Sequence, residues 1–586
     1  MTRSSKLTAL LVSLALLFAA CSPAPAPSAD TTAGAGSAAV IDTADNVAVG
    51  SQGAVASVDG YATQVGIEVL QAGGNAIDAA VAVGFALAVT HPAAGNIGGG
   101  GFMTIYIADE DRYTTFDFRE RAPLAATEDM YMQPDGTVDR GGGHVGWTAV
   151  GVPGTVAGFA LAHEKLGTLP WERLVEPAAG LARDGIVLGE YLADSLEGMA
   201  RRDAFASYPA SKEAFLKPDG TSYAAGETFV QPDLAWSLQQ IADNGPDAFY
   251  RGEIAERLTA AMADNGGLIT MEDLAAYEAK EREPIRGTYR GYDIISMPPP
   301  SSGGTVLVEM LNILENFDLA GYDAESPEVT HLMIEAMRQG YLDRATYLGD
   351  TDFVEVPIDM LTSKDYAAEK AAMIPLDRAR SSEEIGASIL TPPESTQTTQ
   401  YSVVDAAGNV VSTTYTLEQG YGSKAMAPGT GFLLNNEMGD FNTWPGMTWD
   451  RYIGTPPNLI APGKRMLSSM TPTIVARDGH PIAAVGSPGG KTIINTVFCV
   501  VVNLIDFDKS LADAVAAPRL HNQWMPDSTS LESDFPQSTL DALIAMGHII
   551  SDRRGIQGDA HSVYIAPDGT RIAVADPRRN GAAMAY

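Results

Sequence analysis

From Ala62 to Val89 small and apolar residues recur at helical spacing, broken once by Ala72-Gly73-Gly74-Asn75. This pattern predicts two packed helices with a turn between them. The run Gly98-Gly99-Gly100-Gly101 then leads into Phe102-Met103-Thr104-Ile105-Tyr106-Ile107, which predicts a strand. Residues 150–285 read as amphipathic helices punctuated by Gly and Pro, and residues 325–350 carry another helical pattern. The texture changes near residue 380. Residues 381–397 are polar, contain Pro392-Pro393 and read as an exposed loop; strands follow. Tyr401-Ser402-Val403-Val404-Asp405 and Val410-Val411-Ser412-Thr413-Thr414-Tyr415-Thr416 flank Ala406-Ala407-Gly408-Asn409, a hairpin signal. Ile474 to Ala476 and Ile482 to Val485 flank Arg477-Asp478-Gly479-His480, a second one. A helix from Leu511 to Ala517 and a closing strand from Val563 to Ile565 complete the pattern. The expected class is α/β (α+β), with strands sandwiched between helices in one body.

Composition adds mainly exclusions. The chain has 586 residues, of which 45% are hydrophobic and 19% charged, ordinary values for a globular protein. Its 73 acidic and 38 basic residues give a net charge of −35. Such a field repels nucleic acid and anionic lipid, so neither is an expected partner. An anionic substrate would need a local basic anchor, which raises the interest of individual arginines.

The two cysteines separate cleanly. Arg3 and Lys6 precede the 14-residue apolar run Leu7 to Ala20, which is too short for a comfortable membrane span and suits an export signal. Ala19-Ala20-Cys21 resembles a bacterial lipoprotein processing site, with Phe18 where that motif usually has Leu. Residues 1–21 are therefore expected to be a lipoprotein-type leader lipidated at Cys21, with plain secretion as the alternative. Residues 22–45 are low-complexity and suit a flexible tether between membrane and globular body. Cys499, inside an apolar run, reads as an inert core thiol.

Common catalytic layouts are missing. Gly-x-Ser-x-Gly is absent, and the eight histidines show no metal-ligand spacing, so no metal or cofactor is expected. Each lone histidine reads as a surface or core residue. Gly486-Ser487-Pro488-Gly489-Gly490-Lys491-Thr492 imitates a phosphate-binding loop but is one residue short, and Pro488 lacks an amide. It reads as a tight strand-to-helix turn whose glycine N–H groups could hold an oxyanion. A threonine hydroxyl needs a base, and a chain-terminal threonine carries one in its own α-amine, with a pKa of about 7.7–8.0. A cut between Gln397 and Thr398, between loop and strand, would create such a terminus. The hairpin is centred near Ala407, so Thr416 stands opposite Thr398 and can hydrogen-bond it. By themselves these features leave Thr398 one option among many.

Longer motifs narrow the choice. Thr398-Thr399-Gln400-Tyr401-Ser402-Val403-Val404-Asp405, Leu433-Leu434-Asn435-Asn436-Glu437-Met438-Gly439-Asp440-Phe441, Leu467-Ser468-Ser469-Met470-Thr471-Pro472-Thr473 and Gly486-Ser487-Pro488-Gly489-Gly490 resemble the γ-glutamyltransferase family in order and spacing. So do Ala72-Gly73-Gly74-Asn75-Ala76-Ile77-Asp78-Ala79, Ile97-Gly98-Gly99-Gly100-Gly101-Phe102 and Asp117-Phe118-Arg119-Glu120-Arg121-Ala122-Pro123. The likeness runs from about Ala54 to the C-terminus. It implies a four-layer αββα sandwich of the N-terminal-nucleophile hydrolase type. It also implies a proenzyme that cuts itself into a large chain, 46–397, and a small chain, 398–586, which stay together as a heterodimer.

Carried over by position, the resemblance makes Thr398 the nucleophile, supported by Thr416, with the amides of Gly489 and Gly490 as oxyanion hole. Arg119, Ser468 and Ser469 would hold the α-carboxylate of a γ-glutamyl substrate such as glutathione. Glu437 and Asp440 would hold its ammonium, and acceptors would be water, amino acids or peptides. Three departures stand out. Glu418 occupies a position where many members have Asn, and Gln400 one where His is usual. The 24 residues between Asp440 and Arg465 are long enough for a lid, but Trp444, Trp449 and Tyr452 are unusual there. The rival inside the fold is a cephalosporin acylase-like amidase, which takes a glutaryl group without the α-amine. A solute-binding lipoprotein would share the leader and tether but has no use for Thr398.

Overall fold

In the computed structural model, the described residues are 46–139, 141–386, 397–443 and 456–586, with backbone alone at 389–390, 448–449 and 452–454. The leader, the tether and Cys21 lie outside them, as does Trp444; of Trp449 and Tyr452 only the backbone is described.

Two seven-stranded antiparallel sheets form the centre. The first runs, edge to edge, Ala582–Ala585, Ala54–Ser57, Thr399–Val404, Val410–Thr416, Gly100–Ile107, Arg112–Phe118 and Lys280–Arg282. The second runs Val47–Gly50, Arg571–Val574, Ser562–Ile565, His480–Val485, Thr473–Arg477, Tyr292–Ser296 and Ile285–Tyr289. Three apolar layers follow from this arrangement. Helices Gly60–Gln71, Ala76–Thr90 and Thr155–Leu166 pack on the outer face of the first sheet, with further helices including Pro232–Asn244 behind them. Helices including Gly303–Leu314, Pro327–Tyr347 and Thr492–Ile505 cover the second. Between the sheets lie Ala54, Ala56, Val404, Val410, Ile474, Ala484 and Val563. This is the expected αββα order.

The two predicted N-terminal helices are present and separated where expected. Gly73 turns with φ 91°, and Asn75 caps the second helix through a capping box with Asp78. The glycine run before the first long strand is there for contact: a Cβ on Gly99 would lie 2.1 Å from the Thr416 carbonyl oxygen. Both predicted hairpins form. Two sequence expectations need correction. Residues 381–397 are not simply an exposed loop, since Ser382–Ile385 is a helical turn with Ser382 buried, and Ile389–Leu390 pairs in parallel with Tyr452–Gly454. Nor is Ser562–Ile565 the closing strand, because Arg571–Val574 and Ala582–Ala585 follow it. Both are four residues long, and the alanine-rich last one pairs at the sheet edge with no alternation to announce it.

Strand alternation assigns every side chain of the central hairpin to a face. Tyr401, Val403, Val411 and Tyr415 face the helices. Val404 and Val410 face the other sheet, and so do Ser402 and Ser412, whose hydroxyls donate across the gap to His561 O at 2.9 Å and Val485 O at 3.0 Å. Gln400 has the same parity and bridges the hairpin, donating to Ser412 Oγ at 3.1 Å and accepting from Thr414 Oγ1 at 2.5 Å. The interlayer is thus apolar at one end and polar at the other. Thr398 and Thr416 continue its polar end.

Candidate active site

Thr399 pairs with Tyr415, so Thr398 and Thr416 fall opposite one another, on the inter-sheet face. Both are buried. Thr416 reaches the residue before Thr398. Its hydroxyl donates to the Gln397 carbonyl oxygen at 3.0 Å, where the sequence suggested a bond to the threonine itself. Thr416 Oγ1 in turn accepts from Glu418 N–H at 2.9 Å.

Glu418 begins a contorted stretch. Glu418, Tyr421 and Lys424 all have positive φ (77°, 64° and 71°), a strained conformation for residues with side chains. Surrounding groups hold it. Asn436 accepts from Gln419 N–H at 3.0 Å and donates to Glu418 Oε2 at 2.5 Å. Lys424 Nζ donates to the carbonyls of Gly420 and Gly422, and burial pulls its pKa down to about 8.

From the opposite sheet, strand His480–Val485 ends in the Gly486–Lys491 turn and enters helix Thr492–Ile505. The turn is close-fitting: a Cβ on Gly486 would meet Gln400 Oε1 at 2.3 Å, and Gly489 and Gly490 take φ values of 136° and 57°. This is the strand-to-helix turn expected from sequence. It brings Gly490 to the wall of a small cavity. Of the ten residues singled out for catalysis and substrate binding, all but Gly489 line that cavity, together with Met470 and Ile493.

Charge dominates the far wall. Arg119, just past strand Arg112–Phe118, is 1% exposed. It meets Glu437 at 2.7 Å, Asp440 at 2.5 Å and Glu120 at 3.6 Å. One guanidinium therefore faces three carboxylates out of water, an arrangement that ionised groups tolerate poorly. Burial pushes Glu437 well above the usual carboxylate range and Glu120 up to about 8, each against the pull of Arg119. Burial also works against the charge of Arg119, but Glu437, Asp440 and Glu120 outweigh it. The residues expected at opposite ends of a substrate are here paired with each other.

Several neighbours touch the candidate site residues without any signal in the sequence. Glu120 follows Arg119 in the chain, and neither of its oxygens has a hydrogen-bond partner among the described residues. Asn435 clamps Gly98 and Gly151 and accepts from Glu437 N–H at 3.1 Å. His144, set aside as a lone histidine, stands 3.8 Å from Glu418, which raises its pKa. Arg344 donates to Ser469 Oγ at 3.0 Å. These contacts span many residues of sequence, and no local spacing announces them.

Among the described residues one group offers three metal-type ligands: His331, Glu335 and His548. Its bonds suit a hydrogen-bonded cluster better than an ion. His331 Nδ1 and His548 Nε2 are 2.7 Å apart, His331 Nε2 donates to Pro375 O, and Glu335 is paired with Arg380 at 2.6 Å. Arg338, 3.9 Å from Glu335, adds a second positive charge that would repel a cation.

Two sheets packed face to face between helices, with a threonine leading a central strand, define the N-terminal-nucleophile hydrolase class. Within it, the chain belongs to the γ-glutamyltranspeptidase family, whose model matches residues 62–586. It is similar to the glutathione hydrolase proenzyme of Escherichia coli, with 49% identity over 90% of both chains. Among solved structures it resembles the cephalosporin acylase of Bacillus halodurans, with a TM-score of 0.81, 29% identity, and 93% and 98% of the two chains covered. It also resembles the γ-glutamyltranspeptidase of Helicobacter pylori, with a TM-score of 0.54, 47% identity, and 56% of this chain and 93% of that one covered.

The crowded carboxylates predict a pH effect. Folded Glu120 holds its proton up to about 8, against 4.5 for an ordinary glutamate. The raised value means that this group's contribution to stability is complete below about pH 4.5 and is lost as pH rises through about 8. We expect Glu120→Gln to lose less thermal stability than the unmodified protein across that interval, by about 1 °C in Tm for each kcal/mol at this chain length. Parallel plots of Tm against pH for the two proteins would show that another group titrates.

Proposed function

We propose that the chain is an autoprocessing γ-glutamyltransferase and glutathione hydrolase. The observation that carries this reading is one small cavity that holds Thr398, a donor to the preceding carbonyl, a glycine turn, and both signs of buried charge. In maturation, Thr398 Oγ attacks the Gln397 carbonyl carbon while Thr416 O–H steadies the carbonyl oxygen. The peptide nitrogen leaves as the α-amine of Thr398, and water hydrolyses the resulting ester. The products are a large chain that ends at Gln397 and a small chain, 398–586, together one heterodimer.

In turnover the freed α-amine takes the proton of Thr398 Oγ as the latter attacks a γ-glutamyl carbonyl. Amides of Gly489 and Gly490 receive the oxyanion, and the amine leaving group takes the proton back. Water, an amino acid or a peptide then accepts the acyl group. Arg119, Ser468 and Ser469 hold the α-carboxylate, while Glu437 and Asp440, with Glu418 beside them, hold the ammonium. The internal pairing of Arg119 suits such a guest. A zwitterionic head supplies a carboxylate for the arginine and a cation for the acids, so the buried charge stays balanced as the pair opens.

The acylase reading draws on the Bacillus halodurans structure, which is named for that activity. A glutaryl head lacks the ammonium, however, and would leave Glu437 and Asp440 facing only Arg119 as it took that arginine for itself. The higher identity to a glutathione hydrolase proenzyme points the same way. For location, we propose export through the leader 1–21 and anchoring at lipidated Cys21 by the 22–45 tether. Among the described residues no helix is long and apolar enough to cross a membrane.

Three outcomes test these assignments. Thr398→Ala should accumulate as one uncut chain on a denaturing gel, whereas Thr398→Ser should still cleave, more slowly. Normal two-chain processing of the alanine variant would remove Thr398 from the mechanism. The mature enzyme should prefer a γ-glutamyl over a glutaryl anilide by about a hundredfold in kcat/KM, since an unpaired buried carboxylate costs roughly a few kcal/mol. Asp440→Asn should narrow that gap by slowing only the γ-glutamyl substrate; comparable values in the unmodified enzyme would favour the acylase. Cys21→Ser should move the protein from the membrane fraction to the soluble one, and an unchanged distribution would refute the anchor.

A further inference from the structure

Behind the cavity wall lies a second buried guanidinium. Arg344 sits in the last turn of helix Pro327–Tyr347 and is 4% exposed. It donates through Nη2 to Ser469 Oγ at 3.0 Å and through Nε to Ser302 Oγ at 2.9 Å. Ser302 passes the contact on, since its hydroxyl and its N–H both donate to the Ser468 carbonyl, at 2.7 and 2.8 Å. Ser301 Oγ donates to Met470 O at 2.5 Å. One arginine thus fixes both the side chain of Ser469 and the backbone of its neighbour.

We propose that Arg344 is a positioning residue for the carboxylate end of the substrate, acting through the hydroxyl of Ser469. This rests on the γ-glutamyl reading above. A guanidinium only donates, so Ser469 Oγ must accept at this contact and turn its own proton towards a different acceptor. Ser469 lines the cavity, whereas Arg344 is not among its lining residues. A serine held this way keeps its own proton for an acceptor, and the charge behind it strengthens the bond it gives. The need for such a donor follows from Arg119, which is engaged by Glu437 at 2.7 Å and Asp440 at 2.5 Å. An entering carboxylate must compete with two acidic side chains for Arg119. A second positive charge, one hydroxyl away, favours the substrate in that competition.

The test compares two anilides that differ only in this group: γ-glutamyl, and 4-aminobutyryl, which keeps the amine and lacks the α-carboxylate. Arg344→Gln should process normally and lose about tenfold to a hundredfold in kcat/KM on the γ-glutamyl anilide, the range for a hydrogen bond to a charged group. The loss should fall in KM more than in kcat. Activity on the 4-aminobutyryl anilide should stay within about twofold, because the missing group is the one Arg344 serves. Arg344→Lys should recover part of the loss, since the charge remains without the planar fork. Equal losses on both substrates would mean a merely structural arginine and overturn the proposal. Should Arg344→Gln fail to fold, Arg344→Lys in a Ser469→Ala background decides. No further loss there supports action through the hydroxyl, and additive losses refute it. An unmodified enzyme that hydrolyses both anilides equally would instead sink the γ-glutamyl reading itself, and this proposal with it.

Discussion

The pairing of Thr399 with Tyr415 sets which way Thr398 points. Slipping the two strands by one residue would put Thr398 and Thr416 on opposite faces, turning one of them into the helix layer that holds Tyr401 and Tyr415. Several contacts guard that register. Gln400 ties the two strands together, Ser412 and Ser402 bond across to the second sheet, and the aromatic side chains leave no room for exchange on the helix side. The same cross-sheet bonds place the glycine turn, because Val485, which accepts from Ser412, is the last residue of the strand before it. Nucleophile candidate and amide donors are therefore aligned by one set of short polar contacts, well away from the site's charged wall.

That wall works by a different principle. Arg119 and its three carboxylates are buried together, where neither sign is stable alone. Their mutual pairing balances the buried charge, and on the proposed reading a guest that opened the pair without unbalancing it would carry both signs. On that reading, selectivity would come as much from the charge imbalance a singly charged guest would leave as from new contacts.

Local patterns in the chain carry the hairpins, the paired N-terminal helices and the strand-to-helix turn, because each depends on a few neighbouring residues. The symmetry of the turn at residues 406–409 was enough to place Thr398 opposite Thr416. The sheet orders were not legible, since Ala54–Ser57 pairs with strands more than three hundred residues away. Arg119 and Asp440 are 321 positions apart, and only the family resemblance brought them to one site. Glu120, Arg344 and His144 escaped notice for the same reason. A buried charge is defined by its surroundings, and a sequence window contains almost none of them.

Both sheets interleave strands from either side of the Gln397–Thr398 bond. In the first, Ala54–Ser57 lies between Ala582–Ala585 and Thr399–Val404; in the second, Val47–Gly50 pairs with Arg571–Val574, and Tyr292–Ser296 with Thr473–Arg477. The terminal residue is knotted in as well, with Tyr586 O accepting from the amides of Ser51 and Gln52. A break at that bond would yield two polypeptides with no separable folds. Their association would be insensitive to dilution, in contrast to partners that meet through an exposed face, and neither piece could be exchanged for a fresh copy without unravelling both sheets.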